Sequence, residues 1–132
     1  MTDWLIRRQR SSQEVADPEQ LRKLLTELGE EGDPSLLLAH RSGEALSVAV
    51  KESLAHVEFI PASPDDPLLV ASVVPAERVS RISYLEFTIG GTPTRVLRDL
   101  CVPTQTMVQI AMHYFSHKTL PGWVNWIRLE WP

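Results

Sequence analysis

The sequence predicts an α+β domain: a largely antiparallel β-sheet with an N-terminal helix and a C-terminal helix packed on it, ending in a C-terminal strand. Three observations predict it. Several segments between residues 35 and 97 alternate apolar and polar residues with the period of a strand, two segments carry the spacing of an amphipathic helix, and the order is helix, strands, helix, strand. That order suits a sheet covered on one face by helices.

The first helix is expected within "DPEQLRKLLTELGEEGDP". Asp17 can cap it, Pro18 suits its first turn, Leu21, Leu24, Leu25 and Leu28 form one apolar face, and Gly29 can end it. A strand follows at about Ser35 to His40, "RSGE" signals a turn, and "ALSVAVK" alternates Leu46, Val48 and Val50 with small or polar residues, so the pair reads as a hairpin. "LAHVEFI" sets Val57 and Phe59 on one side and His56 and Glu58 on the other, which are expected to be exposed. "PASPDDP" reads as an acidic loop because its prolines remove ladder donors.

"LLVASVV" is short and rich in β-branched residues, as a buried strand is. "ISYLEFTIGG" places Leu85, Phe87 and Ile89 on one face before Gly90 and Gly91 turn the chain, and "TPTRVL" returns as a short strand. "TQTMVQIAMHYFSH" fits a helix capped by Thr104, with Met107, Val108, Ala111, Tyr114 and Phe115 facing inward. In the final strand Trp123, Asn125, Ile127, Leu129 and Trp131 share a face expected to be buried. Trp126 lies on the other face, where it either packs under a helix or anchors a partner, packing being the commoner fate.

Composition narrows the function. A chain of 132 residues with 43% hydrophobic and 23% charged residues is expected to form one domain spanning 1–132. No apolar run is long enough to cross a bilayer, and "MTDWLIRRQR" places its charges after its apolar residues, the reverse of a secretion signal. A lone cysteine, Cys101, excludes an internal disulfide, so a reducing, cytoplasmic location is expected. A net charge of −4 argues against direct nucleic-acid binding and favours a basic protein partner. Some of that charge is concentrated between Glu14 and Asp33, in the pattern of a solvated face and turn.

No catalytic constellation emerges. His113 and His117 have a metal-like spacing, but the zincin glutamate position is Tyr114 and no third ligand is indicated, so a surface pair at a helix C-terminus is the simpler reading. Cys101, between Leu100 and Val102, reads as a buried apolar residue rather than a nucleophile. "IGGTPT" carries no phosphate-binding fingerprint, and the serines lack the pattern of a nucleophile elbow. The chain is expected to be non-catalytic, with no cofactor.

The segment "EFTIGGTPTRVLRDLCVPTQTMVQIAMHYFSHKTLPGWVNWIRLEW" resembles the C-terminal signature of immunity protein family one, small bacterial proteins that neutralise polymorphic toxins. The family pattern is a strand ending in paired glycines, a polar excursion, "VP", a helix ending near an aromatic residue, and a proline followed by "V-x-W". Gly90 and Gly91, Val102 and Pro103, Phe115, Pro121, Val124 and Trp126 take those places, and the match covers roughly residues 85–131. Many members carry Gly-x-Arg-Pro before the last strand, where this chain has Lys118, Thr119, Leu120 and Pro121.

The resemblance implies a protein that binds the catalytic domain of a cognate toxin and occludes its active site or substrate groove. Members are often paired with nucleic-acid deaminases, whose own zinc-ligand motifs this chain lacks. The contact surface is expected at the acidic turn Glu30, Glu31 and Asp33, at the loop residues Asp65 and Asp66, and at His56, Glu58 and Trp126. A non-catalytic adaptor is the alternative, and the protein is expected to be a monomer.

Overall fold

The computed structural model describes residues 3–28, 30 and 34–129. Its strands are β1 (Trp4–Arg7), β2 (Ser12–Val15), β3 (Ser35–His40), β4 (Ala45–Lys51), β5 (Leu54–Ile60), β6 (Leu68–Ser72), β7 (Tyr84–Ile89), β8 (Thr92–Leu97), β9 (Val102–Pro103) and β10 (Asn125–Leu129). The helices are α1 (Pro18–Thr26) and α2 (Thr104–His117). The α+β architecture is as expected, antiparallel throughout, with β10 closing the described chain.

One sheet runs β10-β6-β5-β4-β3-β1-β2, with β9 beside β5, while β7 and β8 pair only with each other. The two faces of the sheet are buried by different partners. On one face, α1 and α2 supply Leu21, Leu25, Met107, Ile110, Ala111 and Tyr114 to the main core with Leu38, Leu46, Val48 and Val57. On the other face, the β7–β8 hairpin and the turn before β9 bury Phe87, Val96, Leu100 and Cys101 against Ala49 and Val70. Strand periodicity explains the division. Val48 and Ala71 face the helices, while their neighbours Ala49 and Val70 face the hairpin.

The helix ends follow local chemistry. Asp17 accepts a hydrogen bond from the Glu19 N–H at 2.9 Å, as an N-cap should, with Pro18 in the first turn. The helix is capped at its other end by Glu27, and Gly29 lies outside the described residues. Thr104 does not cap α2: Pro103 takes that position without a side-chain bond, and the Thr104 N–H donates to the Ser53 carbonyl at 3.0 Å. Lys118 closes α2 in the left-handed conformation, its N–H donating to the Tyr114 carbonyl at 2.7 Å. Gly90 and Gly91, at φ 58° and 85°, supply the two positive φ values of a tight hairpin turn.

Two features differ from the sequence reading. The strands β1 and β2 lie in a stretch whose charges mask a short alternation, with Ile6 buried between half-exposed Leu5 and exposed Arg7. The face of β10 also differs: Trp123 is 56% exposed, Asn125 is exposed, and Ile127 and Leu129 are half-buried beneath the hairpin layer, whereas Trp126 packs against the main core. The indole N–H of the partly buried Trp126 donates to the Pro121 carbonyl at 3.0 Å, a partner within the chain. Trp131 lies outside the described residues.

Tyr114 ties the layers together. It is fully buried, stacks edge-on with Trp4 and Phe59, and donates its hydroxyl to Glu44 at 2.8 Å. Tyr114→Phe retains the ring and removes that bond, so it is expected to cost about 1–2 kcal/mol, the lower range for a bond to a carboxylate that keeps some water. Urea unfolding of both forms checks this, and an unchanged midpoint contradicts it.

Candidate functional site

The sheet has two ends, and the topology distributes the sequence-predicted acidic residues between them. Glu30 lines a groove with Glu52, Arg22 and the first turns of α2, beside the turn into β5. Asp65 and Asp66 lie in the loop after β5 has ended. The length of β5 separates the two groups by about 20 Å. They do not form one surface, and Glu31 and Asp33 lie outside the described residues.

A different set of carboxylates gathers at the Asp65 and Asp66 end. The Arg41 N–H donates to the Asp3 carbonyl, Gly43 lies against Ala62, and Tyr114 reaches Glu44, so the start of β1, the β3–β4 turn, the 61–67 loop and the end of α2 are neighbours. The pairing of Trp4 with both His40 and Val15 brings the end of β2, and hence Glu14 and Asp17, to the same end of the sheet, at its β2 edge. This end carries Asp3, Glu14, Asp17, Glu44, Asp65 and Asp66 against Arg41, Lys118 and Arg128. Asp65, Asp66 and Arg128 line one groove of it. A second groove is lined by Asp3, Glu14, Asp17 and Gln20, with Trp4 and Phe115. Sequence reasoning grouped Glu14 and Asp17 with the first helix and passed over Asp3, because only strand pairing brings these residues to the same end of the sheet as the later loop.

His56 and Glu58 are not an exposed pair. They lie on the polar side of β5, as their alternation requires, but the hairpin covers that side and leaves His56 6% exposed and Glu58 half-buried. His56 Nδ1 is 3.3 Å from the Leu100 carbonyl, its ring lies 6.1 Å from Phe87, and its Nε2 is 4.0 Å from Glu58 Oε2. Burial lowers the His56 pKa from 6.5, partly offset by the Leu100 bond, and burial raises that of Glu58. Both shifts favour the uncharged forms and so weaken the contact as an ion pair. Trp126 is partly buried and packs against the main core.

The histidines of α2 meet as their spacing predicts, with ring centroids 4.7 Å apart, and His113 Nε2 lies 3.4 Å from the Thr119 hydroxyl. Among the described residues no group of three or more His, Cys, Asp or Glu is placed to hold a metal ion. Cys101 is buried, and burial pushes its thiol up to about 11, the direction opposite to that of an activated nucleophile. No helix among the described residues is long and apolar enough to cross a membrane. No family model matches the chain, and no curated protein shows significant similarity to it.

The contact between buried His56 and half-buried Glu58 sets a pH dependence. Below 6.5 the unfolded chain protonates at His56 while the native state resists, so its contribution to stability is full above 6.5 and is lost as pH falls towards the depressed native value. Glu58 acts in the opposite sense: its native form takes up a proton first, so stability is gained as pH falls through its raised native value towards 4.5. Urea titrations across this range are expected to show a flatter acid loss in His56→Gln and a steeper one in Glu58→Gln. An acid slope unaltered in His56→Gln contradicts the assignment.

Proposed function

We propose that this chain is an immunity protein that binds a cognate bacterial toxin domain, one acting on nucleic acid such as a deaminase, and neutralises it by covering its active site or substrate groove. The observation that carries the reading is the gathering of Asp3, Glu14, Asp17, Glu44, Asp65 and Asp66 at one end of the sheet. An enzyme that grips phosphates needs clustered cations, and an acidic protein surface competes for them while steering association. The resemblance of residues 85–131 to immunity protein family one supports the same reading independently of charge. In this proposal the chain performs no chemistry: it acts in the cytoplasm as a stoichiometric monomer, without a cofactor, and excludes the substrate.

The acidic end replaces the acidic turn at Glu30 as the proposed contact surface, because Glu30 lies at the opposite end of the sheet from the larger group of carboxylates. Calorimetric titration against the toxin domain encoded beside the gene, with toxin activity followed in parallel, is expected to show tight one-to-one binding that abolishes activity. Asp65→Lys with Asp66→Lys is expected to slow association by roughly tenfold or more at low salt, the scale of lost steering, while Glu30→Lys changes it little. An active toxin domain that does not bind sinks the proposal.

One observation favours the adaptor reading. Ile82 is 90% exposed, and Tyr84, Trp123 and Val73 are exposed apolar residues away from the acidic end. Exposed aromatic and aliphatic side chains are common at protein contacts. If Ile82→Ser with Tyr84→Ser abolishes partner binding and the changes at Asp65 and Asp66 do not, the adaptor reading takes precedence.

A further inference from the structure

The helix α2 ends in two histidines whose rings are neighbours on its surface. His113 and His117 are four residues apart, about one turn of helix, and their ring centroids lie 4.7 Å apart at an interplanar angle of 46°. His113 is half-buried and His117 exposed, so the helix backbone sets both positions while the pair stays open to solvent. Lys118 then takes the left-handed conformation and turns the chain, which brings the Thr119 hydroxyl to 3.4 Å from His113 Nε2. Two imidazoles and a hydroxyl gather at one place.

The separation of the rings is the one that a shared metal ion requires. With metal–nitrogen bonds of about 2.0–2.1 Å and a ring centre about 1.2 Å behind each nitrogen, two imidazoles about 90–110° apart on one ion have centroids about 4.5–5.2 Å apart. The observed 4.7 Å falls in that range. The pair also lies at the C-terminal end of α2, where the helix dipole favours a cation, and the neighbouring Lys118 is exposed, so salt and water screen its charge. We infer that His113 and His117 chelate one divalent late-transition-metal ion, Cu²⁺, Ni²⁺ or Zn²⁺, with Thr119 beside it and water completing the coordination. Imidazole suits those ions, whereas Mg²⁺ and Ca²⁺ take oxygen ligands, and among the described residues no Asp, Glu or Cys joins the pair in a group of three. The ion does no chemistry. It ties successive turns of α2 together on either side of Tyr114, independently of the contact proposed for a toxin.

The test is a titration of the whole, untagged protein with Zn²⁺, Ni²⁺ and Cu²⁺ in turn, against Mg²⁺ and Ca²⁺, followed by histidine-ring NMR for Zn²⁺ and by thermal unfolding for all five. Saturable binding of Zn²⁺ is expected to shift the rings of His113 and His117 and to leave those of His40 and His56. Saturating metal is expected to raise Tm by several degrees, because only the native helix holds the two rings together. Cu²⁺ is expected to bind most tightly, and Mg²⁺ and Ca²⁺ to leave Tm unchanged. His113→Gln and His117→Gln are each expected to weaken Zn²⁺ binding by roughly tenfold or more, at least the loss that follows removal of a group behind a metal ligand. His117 is exposed, so its variant separates metal binding from packing, and the metal-free Tm of each variant verifies the fold.

Zn²⁺ shifts centred on His40 or His56, an affinity unchanged in the His117→Gln variant, or a Tm that rises equally with Mg²⁺ overturns the inference. So does the failure of all three transition ions to bind saturably in the millimolar range.

Discussion

The buried ring of Tyr114 is the contact on which the arrangement of the acidic end depends. It sits in the last turn of α2, packs edge-on against Trp4 of β1 and Phe59 of β5, and bonds the Glu44 carboxylate beside the β3–β4 turn. Burial, then the Glu44 bond and charge, hold its phenol protonated far above the ordinary value of 10.0, so it remains a donor. Four elements distant in sequence thus meet around one side chain. The same packing fixes Trp4, which lines the groove beside it.

The second constraint is the double coverage of the sheet. Helices on one face and a hairpin on the other leave the central strands buried on both sides, with Leu46, Val48, Ala49 and Val57 all inaccessible. The hairpin is held by polar ties as well as by Phe87. Lys51 donates to the Glu86 carbonyl at 2.8 Å, the Gly90 N–H donates to Ser35 at 2.9 Å, and the Ser72 hydroxyl lies 2.7 Å from the Asp99 carbonyl. With both faces occupied, the surfaces left for a partner are the sheet ends and edges, the outer sides of the layers and the loops.

What was legible in the sequence follows from range. The alternation of β4, the leucine face of α1, the glycine pair after β7 and the apolar face of α2 are local signals, and each became the element expected. The faces of β5 and β10 were not legible, because which side of a strand is buried depends on what packs there. His56 and Glu58 alternate as solvent-facing residues do, and only the hairpin's return across the sheet buries them. Trp126 was readable as core or contact, and it is partly buried against the main core with its indole bonded to the Pro121 carbonyl. The acidic site itself was the least legible, since Asp3, Glu14 and Asp65 come to one end of the sheet only through the pairing of β1 with both β2 and β3 and the contact of Gly43 with Ala62.

Amide hydrogen exchange of the protein, alone and in the presence of the toxin domain proposed as its partner, tests the central claim most directly. The account predicts slowed exchange at the start of β1, at residues 14–17 and in the 61–67 loop, with the loop between β6 and β7 unchanged. Protection confined to that loop and the hairpin, with the acidic end exchanging as before, would contradict it.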